Sequence, residues 1–388
     1  LVLAGDHDNA LRVIAAALAR VDPHPRLAEI KAAEALVAFY QGEGTRARAL
    51  LENALLAAAT RDDPQVLDAV RSDLALVLHK TGELHAAERV YAESLAAARA
   101  QRHLPRILAR LLNLATLRQE QGRFDEALAG YQEAQELARA IDGRRELVHI
   151  SINWANLLAH LGAYEAAANP IEDTLGTARE LGMGTEQAYL HVLGADVALG
   201  LDDLAAAEQG LAAARSLFAG SLDTAGLAEI ECVSAALAIR RNDPARARRH
   251  AEAAASAAEH AGRDRIAAQA LLWRALADFD EPPHALDAAL AAAGKAALLA
   301  ERHGDPDLAW LAHAAASRLH ARAGHSEEVR FHADKARGFV HEARRRVSAR
   351  YERTYSTAWF RRELYAAISG SPEQSPLRDL DRLLAINR

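Results

Sequence analysis

The stretch QGRFDEALAGYQEAQELARA, residues 121–140, decides the fold, because versions of it stand forty residues earlier (TGELHAAERVYAESLAAARA, 81–100) and forty later (LGAYEAAANPIEDTLGTARE, 161–180). Gly42, Gly82, Gly122 and Gly162 keep this period. Two residues on come Gly44, Leu84, Phe124 and Tyr164; five on, Ala47, Ala87, Ala127 and Ala167; nine on, Leu51, Tyr91, Tyr131 and Ile171. Residues at i and i+4 share one helix face, and Ala134 at i+7 continues the stripe, so each unit holds a helix with a small-large-small edge. Seven residues before each glycine stands Ala35, Ala75, Ala115 or Ala155, in a second amphipathic stretch. The pair is predicted to be an antiparallel helical hairpin whose alanines let the two backbones approach closely. Beyond residue 200 the units weaken but keep phase, with turns expected near 202, 242, 282 and 324, giving about nine hairpins up to residue 340.

Composition agrees. The chain is 51% hydrophobic but only 5% aromatic, so its apolar content is mainly alanine and leucine, which cost a helix least. The 11 prolines and 22 glycines fall mostly between the apolar-periodic segments, where helices stop. The expectation is an all-α protein in which neighbouring hairpins stack into one continuous core, since a lone hairpin cannot bury its apolar face. A net charge of -7 gives no general attraction to nucleic acid or anionic membrane. The single cysteine, Cys232, has no internal partner and reads as a small core residue. With no run of about eighteen apolar residues and no leader-type segment, the reading is a cytoplasmic protein with no membrane contact. The chain opens at Leu1 inside what reads as a hairpin, as a piece of a longer protein would.

The best copy, RLLNLATLRQEQGRFDEALAGYQEAQELA (110–138), resembles the tetratricopeptide repeat (TPR) in the long variant of about forty residues seen in kinesin light chains. Leu111, Leu114, Ala115, Gly122, Phe124, Ala127, Tyr131 and Ala134 carry the likeness. Arg118 departs from it by replacing an aromatic of the first helix, and Gly44 by replacing the aromatic after the first glycine. The resemblance implies a right-handed superhelical solenoid of antiparallel hairpins whose first helices line the concave side. It also implies a non-enzymatic protein-protein interaction scaffold.

On those first helices, steps of forty give three polar columns: Asp73, Asn113 and Asn153; Thr116, Asn156 and Asp196; Lys80, Glu120 and His160. The core does not need them. In the resembling family an asparagine at the place of Asn113 and Asn153 holds the backbone of an extended peptide, because a carboxamide offers one peptide unit both a donor and an acceptor. These nine residues are the expected contacts for a protein or peptide ligand. Set against that, an inner wall can carry solvated polar residues, and repeat duplication alone can repeat an asparagine. A second reading is a small effector bound near Trp154 and Tyr189, as in the solenoids of maltose-type transcription activators.

No catalytic or nucleotide motif of the GxxxxGK[ST], HExxH, GxSxG or paired CxxC type is present, so neither a catalytic residue nor a cofactor is expected. Seventeen histidines are scattered over turns and surfaces, and the closest same-face pair, His313 and His320, has no third ligand at metal spacing, so no metal site is expected. Asp6, His7 and Asp8 read as a capping turn.

Residues 341–370 are expected to form a capping helix, with Val347, Tyr351, Tyr355 and Trp359 as one stripe covering the end of the last repeat. The arginines of this stretch, among them Arg344, Arg350 and Arg361, alternate with glutamates and read as a solvated face, so no direct nucleic-acid contact is expected. Residues 371–388 read as a linker and the start of a signalling helix, with Leu377, Leu380, Leu383 and Leu384 on one edge suited to self-association. That tail resembles the connector before a sensory domain in large bacterial regulators. The combined expectation is the sensing or partner-docking region of a multidomain bacterial regulator.

Overall fold

In the computed structural model, residues 7–18, 26–60, 63–219, 223–279 and 286–368 are described. Among them there are nineteen α-helices and no strand, and the chain divides into two compact units, 1–146 and 147–388. The expected turn near 282 and the expected segment 371–388 lie outside the described residues.

The first unit contains α1 (His7–Leu18), α2 (Leu27–Tyr40), α3 (Gly44–Ala59), α4 (Pro64–Lys80), α5 (Leu84–Ala100), α6 (Leu104–Glu120) and α7 (Phe124–Ala140). The second contains nearly all of α8 (Arg144–His160), then α9 (Tyr164–Glu180), α10 (Gly184–Gly200), α11 (Leu204–Phe218), α12 (Thr224–Arg240), α13 (Pro244–His260), α14 (Asp264–Ala277), α15 (Leu286–His303), α16 (Pro306–Ala323) and α17 (Ser326–Arg345). Two short helices, α18 (Glu352–Thr357) and α19 (Trp359–Ile368), end the described chain.

Helices of seventeen residues and three-residue turns make the period. A residue in the left-handed region recurs about every twenty residues: Gly42, Gly82, Arg102, Gly122, Asp142, Gly162, Gly182, Asp202, Asn242 and Gly262. Glycine suits six of these ten junctions, and aspartate or asparagine, which tolerate this conformation, suit three more. Arg102 is the costly exception at φ 53°. Aspartates cap the starts of several helices, with Asp63 accepting from the amides of Gln65 and Val66, and Asp243 from that of Arg246.

The alanine columns hold the hairpins together. Ala35, Ala75, Ala115, Ala155, Ala195, Ala235 and Ala275 on the first helices, and Ala47, Ala87, Ala127, Ala167, Ala207 and Ala247 on the second, are all buried. At Gly130 a Cβ would meet the Cβ of Ala115 at 2.9 Å, so α6 and α7 touch almost backbone to backbone. Second helices bury one stripe each, such as Ala207, Leu211, Ala214 and Phe218 on α11. First helices bury two faces, and they touch one another from hairpin to hairpin: α2 on α4, and α10, α12, α14 and α16 in succession. They therefore form the inner layer of each unit.

The stretch from Val347 to Trp359 is not one helix. α17 ends at Arg345, α18 is six residues long, and Ala358 is extended at φ -51° and ψ 134°. This broken segment packs on the last hairpin, α19 against α16 and α17, and also runs over other first helices of the second unit.

Candidate functional site

In the first unit the inner face lies on α4 and α6. Asp73 and Asn113 are half-buried there, Lys80 is exposed, and none of these three side chains makes a hydrogen bond among the described residues. Burial pushes the Asp73 carboxyl up to about 6, against the pull of Arg110. The other two predicted residues are engaged. The Thr116 hydroxyl donates to the Leu112 carbonyl at 3.0 Å, and Glu120 pairs with His79 Nε2 at 2.8 Å.

Beneath this face lies a polar network that periodicity alone does not predict. Ser94 Oγ donates to Asp68 at 2.5 Å, and Arg110 reaches both, with Nε donating to Ser94 Oγ at 2.8 Å and a terminal nitrogen to Asp68 at 3.2 Å. All three residues are buried, so each satisfies the others' polar atoms and the guanidinium balances the carboxylate. The repeat carries a signal of it. The forty-residue column of Asp68 otherwise reads Leu108, Val148, Ala188, and that of Arg110 reads Val70, Ile150, Leu190. The buried column of Ser94 reads Ala54, Ala134. Three polar departures from apolar columns within two hairpins answer one another.

The second unit presents a different inner face. The column of Asn113 and Asn153 continues as Leu193, Val233 and Trp273, apolar where the first unit is polar. The chain's own segment 351–364 lies on it. Trp359 stacks on Trp273 with ring centroids 5.6 Å apart, and the Arg240 guanidinium lies 5.0 Å from the Trp359 ring. Thr354 Oγ1 donates to the Leu161 carbonyl at 2.9 Å, at the turn between α8 and α9. A Cβ on Gly162 would stand 2.3 Å from the Thr354 carbonyl oxygen, so only glycine admits the segment there.

Asp307, at the start of α16, anchors this seat. It accepts from Trp310 Nε1 at 2.9 Å, from the Tyr355 hydroxyl, and from the buried Arg361 guanidinium at 2.5 Å. Burial by itself would raise the Asp307 carboxyl, and Arg361 overrides it, holding the group well below the usual carboxylate range. Arg361 is also 3.9 Å from the centroid of the Tyr355 ring. The expectation of a solvated arginine face is thus corrected at Arg361, which is buried because a buried carboxylate needs its charge.

Three predicted residues border this seat or lie on its helices. His160 stands 3.7 Å from Asp307, and burial pushes it down to about 4, so it is neutral. Asp196 is half-buried without a hydrogen bond, and burial raises it to about 6 against the charges of Arg265 and Arg361. Asn153 donates back to the His149 carbonyl of its own helix at 2.9 Å. The last of the nine, Asn156, is exposed on α8. Tyr189, named for a small effector, gives its hydroxyl to Asp223 at 3.1 Å and packs edge-on against Phe218. A residue absent from the sequence reading, His332, pairs with His313 at 2.8 Å and stacks on His320.

The profile of the MalT-like TPR region matches residues 28–281, more than half of the chain. The chain belongs to this TPR family. No curated protein matches it. Solved structures similar to this MalT-like TPR chain include a Rap protein complexed with competence and sporulation factor, 13% identical at a TM-score of 0.57 over 88% of this chain and 97% of that one. Aspartyl phosphate phosphatase F from Bacillus subtilis is 11% identical at 0.61, over 73% of this chain and 71% of the other. The Rap conjugation gene regulator of plasmid pLS20, in complex with the Phr* peptide, is 13% identical at 0.55, over 87% and 95%. At these identities the likeness is one of fold: an α-helical hairpin repeat of the TPR type.

Proposed function

We propose that this MalT-like TPR chain is a docking scaffold that captures an extended polypeptide segment along the inner face of its first unit. It would serve in this way as the sensing region of a multidomain bacterial regulator. The observation that carries the reading is the set of polar side chains on α4 and α6 that make no hydrogen bond within the protein among the described residues. Asp73 and Asn113 are half-buried and make no hydrogen bond, and Lys80 stands exposed on the same helix as Asp73. A half-buried carboxyl or carboxamide keeps hydrogen-bonding capacity that the fold does not use, and a peptide backbone supplies the N–H and C=O groups to take it up. The similarly folded regulator of plasmid pLS20 is in complex with a peptide, which supports the same use here. Among the described residues neither inner face pairs a nucleophile with a base, which supports binding over catalysis.

The test begins by selecting peptides on the full chain from a random extended library. Their affinity is then measured for wild type, Asn113→Ala and Asp73→Ala. Loss of each buried contact should cost about 1–3 kcal/mol. Unchanged affinity with unchanged helicity would end the proposal. The small-effector reading receives less support, because the Tyr189 hydroxyl already serves Asp223.

A further inference from the structure

The seat of residues 351–364 on the second unit is unevenly satisfied. The segment brings one buried cation, Arg361, which is used by Asp307. Four carboxyls lie within electrostatic reach of Arg265 on α14: Asp196, Glu229, Asp305 and Asp307. Arg265 itself donates to Asp305 at 3.0 Å. Asp196 and Glu229 are half-buried and accept no hydrogen bond among the described residues. Burial raises Glu229 to about 7 and Asp196 to about 6, the mark of acidic groups short of a direct cationic partner. The resident segment is two short helices broken at Ala358, and its polar anchors are a few side chains, Thr354, Tyr355 and Arg361. It therefore fits the aromatic and Asp307 positions well and leaves part of the acidic wall unanswered.

We propose that residues 351–364 are a resident competitor on the inner face of the second unit. The external ligand of that face is a polypeptide segment that sets an arginine among aromatic residues and adds a second cation for Asp196 and Glu229. This rests on the reading that the inner faces take polypeptides, but it concerns other residues than Asp73 and Asn113. Binding of such a ligand displaces the segment from Trp273 and Asp307, so occupancy is converted into release of the chain beyond α17. The ligand succeeds because it gives a direct partner to carboxyls that the resident leaves without a hydrogen bond.

The test uses the full chain and a fluorescein-labelled synthetic peptide, YERTYSTAWFRREL, identical to residues 351–364. Anisotropy titrations compare wild type, Arg361→Glu and Trp359→Ala, which loosen the resident, and Arg361→Glu combined with Asp307→Asn, which removes the anchor. Both loosened variants should bind the peptide at least about tenfold more tightly than wild type, because a site blocked by an internal competitor loses apparent affinity by its free fraction. Adding Asp307→Asn should return binding to the wild-type level. Peptides with lysine placed in turn at each position from 352 to 358 are a second probe; tighter binding of one that disappears in Asp196→Asn/Glu229→Gln supports the second-cation requirement, and no gain at any position overturns it. No gain in either loosened variant, or loss of helicity well beyond the fourteen residues of the segment, would overturn the proposal by showing a fixed part of the core. Asn113→Ala should leave every titration unchanged, which separates this result from that of the first unit.

Discussion

Replacing Gly162 by alanine and comparing it with the same change at Gly182 isolates the contact between the C-terminal segment and the inner wall. Both glycines hold a left-handed turn, at φ 70° and 66°, so alanine costs about 1 kcal/mol of backbone strain at either. At Gly182 a new Cβ meets nothing within 4 Å. At Gly162 it stands 2.3 Å from the Thr354 carbonyl oxygen and 2.7 Å from its carbonyl carbon. Both atoms belong to backbone, so the segment must retreat by more than an ångström to reach ordinary van der Waals separation. That retreat breaks the bond from Thr354 Oγ1 to Leu161, worth about 1 kcal/mol, and disturbs the packing of Tyr355 at a further cost of about 1 kcal/mol. Gly162→Ala should thus lose about 3 kcal/mol and Gly182→Ala about 1 kcal/mol. Urea unfolding of both variants beside wild type reads the difference from the midpoints. Equal losses would refute the packing of the segment on the turn between α8 and α9.

Three further outcomes follow from the same physics. Asp196 keeps its proton up to about pH 6 when folded, whereas an ordinary aspartate loses it near 4, so ionising it costs stability as pH rises through that window and the whole cost is present above it. Asp196→Asn should match wild type at pH 4 and exceed it by about 1–2 kcal/mol at pH 7.5, a figure reduced for partial solvent screening, as thermal unfolding at the two pH values would show. Arg110→Ile leaves the buried Asp68 carboxylate with the Ser94 hydroxyl and the more distant Arg106 at 3.6 Å and should cost about 3 kcal/mol, whereas the triple change Asp68→Leu, Ser94→Ala, Arg110→Ile restores the neighbours' apolar columns and should fall within about 1 kcal/mol of wild type in urea unfolding. Arg102→Gly relieves the left-handed arginine and should raise stability by about 0.5–1 kcal/mol in the same assay.

The hairpins were legible because one period governs both turns and cores. Gly122, Ala127, Tyr131 and Ala134 announce a helix face, and the structure buries Ala127, Tyr131 and Ala134 against α6. The inner polar columns were legible as positions, and only the structure separates Asn113, without a hydrogen bond, from Asn153, which bonds its own helix. The seat of the C-terminal segment was not legible. Helical spacing from Val347 to Trp359 suggests one continuous stripe, but the break at Ala358 is set by tertiary contacts: Trp359 stacks on Trp273, and Arg361 must reach Asp307. No periodic argument pairs residues fifty or two hundred positions apart. The clue was the column that runs Asn113, Asn153, Leu193, Val233, Trp273, since a wall that turns apolar calls for something to cover it.

Amide hydrogen exchange of the full chain, resolved along residues 352–364, reads whether the inner face of stacked hairpins holds a polypeptide segment. Exchange there should be slowed by about a hundredfold or more relative to the free peptide, yet be faster than in α16, and the protection should be lost in Arg361→Glu while α8 to α17 keep theirs. Exchange of these amides at the rate of an unstructured chain in the wild-type protein would contradict the seat of the segment on that face.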